Sequence, residues 1–585
     1  MTLSTANFVF ADIIYHIFAH LDPERYSPYD PHANLYDARQ ALARAARACR
    51  SFTRPALKVL WKRIPDDQPL ADLLCSLGIA EKESTLAGND VIGDEPARFE
   101  IPIERGNSSA PWGEAQAIER RWKKLRGYDD PYILRNGQED PRAHPRWERF
   151  REYVSYVRAI TLFAFDGPKW CELWTEMLPL LDGAPLLPSL ESVSFCNISK
   201  RALTPSAFLL IAPSVSKLDF TFNVYPDTQS LIYSAFVLAF DHAPTIEKLR
   251  LLEQPWKDMH TRCPRVRHLE VIYQVNPTGL NYIAEFPALQ NLSVSLHNIF
   301  SIGDDVSFPQ LRVLKAGGIW AELDFFLRSI RCPELRELSL EAWQSGASAH
   351  QMAEDASQCL QEVASYHPSL KGLSVRTTFG PPPPAGTCVG RMIPTVQDTF
   401  QGSILGVIRP LLTLRRLRKL SLSLPDYFDV ECADTDVLLM SESWRNIEEL
   451  HIDIWSYLAP RGMSLGDRAR GGDFASTAHF ARNCPYLRSL HLPPMEITAE
   501  TLDAVEFSGK AHGLQTLIVP KFKVRPDSDD STKLVEEAVG RTFPSAAWAF
   551  WVDRTVAIDG WVVAGDAAHC LDCVGTVGQD SAGAL

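Results

Sequence analysis

The chain has 585 residues, of which 45% are hydrophobic and 22% charged, and its formal net charge is −13. These proportions are those of an ordinary folded soluble protein. The acidic balance disfavours a protein that binds nucleic acid over its whole surface, because that role needs a basic face to neutralise phosphates.

Cysteine usage and hydropathy indicate the compartment. Twelve cysteines in 585 residues is too low a density for a disulfide scaffold. The N-terminus lacks the basic segment, apolar core and cleavage site of a secretory signal. No uninterrupted apolar run approaches the roughly 20 residues of a membrane span. We therefore expect a cytoplasmic or nuclear protein with reduced thiols and no membrane association.

Residues 8–65 predict a small domain of three short helices. The first helix has one wide apolar face and ends at Asp22-Pro23. The second covers residues 38–52, and Pro55 can open the third. Helices this short form no deep core alone, so the apolar face predicts docking onto a partner or a neighbouring domain. The alternative is a plain helical cap for the repeats that follow.

Residues 82–146 lose the helical pattern. Polar, glycine-bearing and charged stretches follow one another there, which predicts an irregular and partly disordered surface excursion.

Residues 147–520 repeat one phrase: proline, any residue, apolar, two free residues, apolar, one free residue, apolar. Copies with the proline start at Pro188, Pro213, Pro244, Pro264, Pro287, Pro309, Pro333, Pro368 and Pro485. Copies without it have their first apolar residue at Val157, Leu417, Ile447 and Leu514. The shorter steps between copies match the period of about 20–29 residues of leucine-rich repeats.

The phrase predicts how each repeat folds. Its last two apolar residues alternate with free residues at the strand period of two, so they point inward. The proline suits the turn that enters the strand, because it fixes φ and offers no ladder donor. We therefore expect an α/β fold, a leucine-rich-repeat solenoid with parallel strands on its concave face. The alternative is a βα protein whose strand entrances carry prolines by chance.

The N-terminal region resembles an F-box, and the whole arrangement resembles the expanded F-box/leucine-rich-repeat proteins of fungi. The F-box resemblance lies in the order Ile13-Ile14…Ile17-Phe18…Leu21, Leu42…Ala46…Cys49-Arg50-Ser51-Phe52 and Leu57…Leu60-Trp61. The wider resemblance adds Trp147…Phe150…Tyr153…Val157-Arg158 and the repeats. Cys263-Pro264, Cys332-Pro333 and Cys484-Pro485 are similar to the cysteine-containing repeat class, in which a buried cysteine fills the corner. The family's opening Leu-Pro is replaced by Val9-Phe10, and the loop over residues 22–37 is long.

This resemblance implies a non-catalytic substrate-recognition subunit of a Skp–cullin–F-box ubiquitin ligase. Its partners would be the Skp-type linker subunit, the cullin ligase and a protein target. The residues that would dock the linker subunit are Ile13, Ile14, Ile17, Phe18, Leu21, Leu42 and Trp61. The alternative is a ligase-independent interaction scaffold.

The concave face would hold the target. Its residues are the outward neighbours of the apolar triplets: Lys217, Asp219, Lys248, Arg250, His268, Glu270, Asn291, Lys315, Glu337, Glu341, Arg376, Glu449, His451, Asp453 and His491. This mixture of signs favours selective protein contact over tracking of phosphates. The basic cluster Arg415, Arg416, Arg418 and Lys419 is interpreted as a solvated rim.

The tail, residues 521–585, departs from the repeats. Gly560 to His569 resembles the Gly-Asp stretch of flavin-dependent monooxygenases, with Asp566 in the cofactor-contacting position. The glycine fingerprint that such enzymes also need is not found in the chain. A flavin remnant is thus a remote alternative, and neither a cofactor nor a metal is predicted.

Overall fold

The computed structural model describes the chain in segments. They are residues 13–21, 35–64, 68–82, 132–134, 140–163, 170–177, 179–196, 212–221, 237, 239–252, 257–300, 306–343, 348–378, 400–425, 428–455, 472–493, 495–498, 512–525, 539–540, 543 and 547–552. The chain forms two compact units, Met1–Arg250 and Leu251–Leu585. None of the described helices is long and apolar enough to cross a bilayer.

The first unit begins with the three expected helices. Its helices cover residues 13–19, Leu35–Ala48, Arg50–Lys62, Gln68–Leu77, Trp147–Val154 and Trp170–Met177, with 3-10 turns at Pro141–Ala143 and Pro179–Leu181. The third helix begins at Arg50, five residues before its predicted start at Pro55. The break falls at Cys49, whose backbone is extended with φ −157°. The helix Gln68–Leu77 was not predicted.

A small apolar cluster holds the N-terminal helices together. Ile14, Phe18 and Leu42 are buried in it, together with Ala56 and Val59. The rings of Phe18 and Phe52 meet edge to face, with centroids 5.6 Å apart. The three helices therefore share a core of their own, because each turns part of its apolar face toward the others.

Parallel strands follow in the first unit. They are β1 (Arg63–Ile64), β4 (Ala159–Phe163), β5 (Ser192–Cys196), β6 (Lys217–Thr221) and β7 (Lys248–Leu251), adjacent in that order, while β2 (Ala80–Lys82) and β3 (Tyr132–Leu134) form a separate antiparallel pair. The sheet therefore starts at β1, inside the region that we expected to be helical, because Arg63–Ile64 pairs with Ala159–Ile160. Strand β3 lies within the excursion expected to be irregular.

The second unit continues the pattern over more repeats. Its strands are β8 (His268–Val275), β9 (Asn291–Leu296), β10 (Val306–Ser307), β11 (Val313–Ile319), β12 (Ile330–Arg331), β13 (Glu337–Trp343), β14 (Gly372–Thr378), β15 (Phe400–Ser403), β16 (Lys419–Pro425), β17 (Phe428–Glu431), β18 (Glu449–Trp455), β19 (Ser489–His491), β20 (Met495–Thr498), β21 (Thr516–Arg525) and β22 (Ala547–Val552). The main sheet runs β8-β9-β11-β13-β14-β16-β18-β19-β21, and β21 also pairs with β20 and β22. β10 pairs with β12 and β15 with β17.

Helices and 3-10 turns connect these strands. They are Met259–Arg262, Pro277–Ala284, Trp320–Ser329, Ala349–Tyr366, Leu405–Ile408, Arg409–Thr413, Asp434–Ser443, Phe474–Ser476 and Thr477–Asn483. Ala349–Tyr366 illustrates why they form. Its N-cap Ser348 accepts a hydrogen bond from the Gln351 amide, and it buries Met352, Ala356 and Val363 at helical spacing.

The repeat spacing sets the register of the sheet. In the second unit Leu292, Leu314, Leu338, Leu373 and Leu420 are direct partners from strand to strand. Every triplet residue with a described side chain is buried. The prediction of inward-pointing triplets on parallel strands is confirmed, and each unit has the architecture of a leucine-rich-repeat stack.

A β-turn enters most of these strands; at β21 the amide of Leu514 donates instead to the His512 Nδ1. The amide of Val266 donates to the carbonyl of Cys263 at 3.3 Å, across Pro264. The same bond joins Leu417 to Leu414 at 3.1 Å, where Arg415 replaces the proline. Proline therefore favours the turn but is not required for it. The corner residue is buried, as predicted for Cys263, Cys332 and Cys484.

Candidate protein-binding face

The side chains that alternate with the buried triplets form one face of each sheet, which we call the open face. In the second unit its central row runs Glu270, Ser293, Lys315, Ser339, Ser374, Ser421, His451 and His491, each a register partner of the next. A neighbouring row runs Ser295, Gly317, Glu341, Arg376, Ser423 and Asp453. The in-register sheet therefore brings together residues that are far apart in sequence.

A groove of about 380 Å³ lies on this face between β11 and β19. Its floor is formed by small residues, namely Gly372, Ser339, Ser374 and Ser421. Lys315, Glu337, Glu449 and His451 line it as well. A Cβ added at Gly372 would lie 3.4 Å from the Glu337 Cγ and 4.0 Å from the Lys419 Cβ. The missing side chain at position 372 is thus what opens this part of the groove.

Charged groups of both signs surround the groove. Lys419 and Glu449 form an ion pair at 2.6 Å, and this hydrogen bond raises the pKa of Lys419. The Thr378 hydroxyl donates to Glu341 at 3.4 Å. Lys315 and Arg376 are exposed and make no ion pair with any residue that the structure describes. Two cations are therefore available to an incoming partner.

Two histidines lie at the β18–β19 end of the groove, and of these His451 lines it. The rings of His451 and His491 are in contact, with centroids 4.0 Å apart and planes tilted by 38°. His491 is half-buried, its Nε2 has no hydrogen-bond partner among the described residues, and burial lowers its pKa to about 4. Burial raises the pKa of Asp453, against the opposing effect of His451. His491 and Asp453 at this end of the open face are thus partly shielded from solvent.

His268, Glu270 and Asn291 also lie on the open face of the second unit, on β8 and β9. They do not line the groove. The predicted residues of the second unit therefore divide into a set around the groove and a set beside it.

The first unit holds the remaining four predicted residues. Lys217 and Asp219 are on β6, and Lys248 and Arg250 are on β7. Arg250 pairs with Asp219 across the strands at 3.4 Å. Lys217 and Lys248 are exposed. These side chains have the outward orientation that the repeat phrase predicts.

The predicted linker-docking residues divide between surface and core. Ile13 and Ile17 are 51% and 58% exposed, one helical turn apart. Ile14, Phe18 and Leu42 are buried in the helical cluster, with Leu21 packed against it. Trp61 packs on Tyr153, with ring centroids 5.5 Å apart. The buried side chains serve the domain's own core, so Ile13 and Ile17 are the ones available to a partner.

The sequence-based face emphasised charged residues and left out Gly372 and Ser374. The same alternation rule places both of them outward, because they flank the inward Leu373. The alternation therefore predicts their outward position, but a glycine and a serine carry no charge that would mark them as binding residues.

The polar and charged side chains of this face can form hydrogen bonds and ion pairs with a partner. Across the described segments, no three His, Cys, Asp or Glu side chains group as metal ligands. Burial raises the pKa of the thiols of Cys263, Cys332, Cys432 and Cys484 to about 12, so these thiols remain protonated. Gly560 to Cys573, with the flavin-like stretch, lie outside the described residues.

Comparison with known proteins gives structural neighbours only. The sequence matches no protein-family profile and no curated protein. A leucine-rich-repeat-containing protein of Legionella pneumophila is 14% identical with a TM-score of 0.23, covering 42% of this chain and 89% of the other. A leucine-rich-repeat protein of Leptospira interrogans is 12% identical with a TM-score of 0.22, covering 62% of this chain and 91% of the other. A Bacteroides fragilis protein is 14% identical with a TM-score of 0.23, covering 77% of this chain and 85% of the other. The fold assignment rests on the strand register described above.

Proposed function

We propose that this protein is a binding receptor whose open face holds a protein target. The observation that carries this proposal is the groove floored by Gly372 and three serines and bordered by Lys315, Glu337 and His451. Small floor residues leave room for a partner's side chain, and the surrounding donors and acceptors can select its chemistry. A parallel repeat sheet commonly serves as such a binding surface.

We further propose that the receptor is the substrate-recognition subunit of a Skp–cullin–F-box ubiquitin ligase. Support comes from the F-box-like order of the N-terminal residues and from the exposure of Ile13 and Ile17 on the first helix. Apolar side chains this exposed stabilise a complex when a partner covers them. The contribution to ubiquitin transfer would be proximity, since holding the target raises the effective concentration of its lysines.

The linker-docking test uses Ile13→Asp/Ile17→Asp. Both side chains are exposed, so the variant should fold normally while losing binding to a recombinant Skp-type linker subunit. Leu439→Asp/Tyr486→Asp is the matched control, because these side chains are 40% and 62% exposed in the second unit. Co-purification should be lost in the first variant and kept in the control. Failure of the unmodified chain to bind the linker subunit would refute the ligase assignment.

A ligase-independent scaffold is the second candidate. Two observations favour it, namely Val9-Phe10 in place of the family's Leu-Pro and the burial of Ile14, Phe18 and Leu42. In that case the open face would still bind its target. The N-terminal helices would act as a cap that covers the first repeats.

A further inference from the structure

A row of basic side chains crosses the second unit where the strands begin. Each residue of this row stands immediately before its strand, so its amide bonds to the corresponding carbonyl of the preceding repeat. Arg336 donates to Arg312 at 2.9 Å, Lys371 to Arg336 at 2.8 Å, and Arg418 to Lys371 at 2.7 Å. We call Arg312, Arg336, Lys371 and Arg418 the basic strip.

The backbone bonds fix the spacing of the strip. Neighbouring strands lie about 4.8 Å apart, so the four residues span about 14 Å. All four are exposed. They come from consecutive repeats, and no residue of opposite charge interrupts the row.

The surroundings of the strip are also basic. The four entry turns, residues 309–313, 333–337, 368–372 and 415–419, carry seven cations and two carboxylates. The cations are Arg312, Arg336, Lys371, Arg415, Arg416, Arg418 and Lys419, and the carboxylates are Glu334 and Glu337. The basic cluster that the sequence suggested to be a solvated rim is therefore one end of a longer surface.

Among the described residues, only part of this charge is neutralised by ion pairs. Arg418 pairs with Glu448 at 3.2 Å, and Arg336 has a weak pair with Glu334 at 3.9 Å. The side chains of Arg312 and Lys371 make no ion pair with any residue in the described ranges. Two of the four cations in the strip are thus available for an external anion.

We propose that the basic strip binds a short, extended, acidic segment of a partner protein. An extended chain rises about 3.3 Å per residue, so about four or five residues cover the strip. A run of Asp and Glu of that length can place carboxylates against Arg312 and Lys371. The four strip residues do not line the groove, although each directly precedes a residue that does. The proposal does not depend on the ligase role.

Two features favour an acidic polypeptide over nucleic acid. The four entry turns contain no aromatic residue, whereas single-stranded nucleic acid is commonly held by stacking on aromatic rings. The strip also ends at the carboxylates of Glu448 and Glu449, which belong to the next repeat. A polyphosphate that extended past Arg418 would have to pass over these carboxylates, while a short acidic segment ends before them.

The test measures binding of a fluorescent peptide with about five consecutive glutamates to the full chain, by anisotropy at low salt. Arg312→Gln/Lys371→Gln should raise the Kd by about tenfold, because two exposed ion pairs are lost. The control Arg149→Gln/Arg151→Gln removes the same charge from an exposed helix of the first unit and should leave the Kd unchanged. A thymidine oligonucleotide with the same number of charges should bind more weakly than the peptide.

Three results would overturn the proposal: no binding of the peptide, equal Kd for Arg312→Gln/Lys371→Gln and the unmodified chain, or tighter binding of the oligonucleotide. Circular dichroism of each variant checks the fold. Binding of the linker subunit should be the same for Arg312→Gln/Lys371→Gln and the unmodified chain, so this test and the ligase test fail independently.

Discussion

The imidazole rings of His451 and His491 lie 4.0 Å apart, centroid to centroid, on two adjacent strands of the second unit. A proton on His491 would place a charge in a half-buried site and close to the ring of His451. Burial is the larger of the two causes that hold the pKa of His491 at about 4. The ring of His491 is therefore neutral at physiological pH and available for hydrogen bonding.

We predict that His491 makes the second unit acid-sensitive. Its pKa is lowered from 6.5 to about 4 on folding, so the unfolded state takes up a proton first as the pH falls. Protonation of His491 therefore does not affect the free energy of unfolding above pH 6.5, and it lowers that free energy as the pH falls from 6.5 to about 4. His491→Ser, which copies Ser339, Ser374 and Ser421 at the same position of earlier repeats, should therefore reduce the fall in urea midpoint between pH 7 and pH 5.

His367 has a lowered pKa of about 4 from burial as well, so some acid sensitivity should remain in the His491→Ser variant. If His491→Ser has the same pH dependence as the unmodified chain, the pKa of His491 is not lowered on folding and the prediction is wrong.

The cysteines should differ sharply in reactivity. Cys49 is exposed, and hydrogen bonding from Ser51 lowers the pKa of its thiol. Burial raises the pKa of Cys263, Cys332 and Cys484 to about 12. Brief maleimide treatment of the native protein, followed by peptide mass spectrometry, should label Cys49 and leave the three corner cysteines unlabelled. Rapid labelling of Cys332 in the native protein would contradict its buried placement.

Leu373 lies in the centre of the apolar ladder and should be costly to truncate. It is buried between its register partners Leu338 and Leu420. Leu373→Ala should destabilise the second unit by about 2–5 kcal/mol, because it removes apolar contacts and leaves a cavity. Hydrogen exchange should then speed up in β13, β14 and β16. The control Ser374→Ala on the open face should change stability by less than about 0.5 kcal/mol, and equal exchange in both variants would contradict the ladder.

The strand register was the part of the fold most accessible from the sequence. A strand has a side-chain period of two, and one buried face leaves a single register for each repeat. The sequence therefore predicts the inward Leu338 and Leu373 and the outward Glu337 and Glu341. Strand β1 escaped prediction because Arg63–Ile64 is too short to carry a recognisable pattern.

Two parts of the binding surfaces could not be read from the sequence. The sequence of an apolar helix face does not show which residues pack in the domain's own core and which remain exposed. Ile14 and Ile17 are therefore equivalent in the sequence, although only Ile14 is buried. The basic strip is spread over residues 312 to 418, and only the pairing of the strands makes Arg336 and Lys371 neighbours.

Site-specific photo-crosslinking tests the proposed binding face most directly. A photoreactive residue at Ser374, on the groove floor, should crosslink a protein partner in cells. The same residue at Gln358, exposed on the helix Ala349–Tyr366, should not. Gly372→Gln should abolish the Ser374 crosslink without unfolding the chain, because its Cβ finds only ordinary van der Waals contacts. Equal crosslinking at Ser374 and Gln358, or a Ser374 crosslink that survives Gly372→Gln, would contradict the open face as the target site.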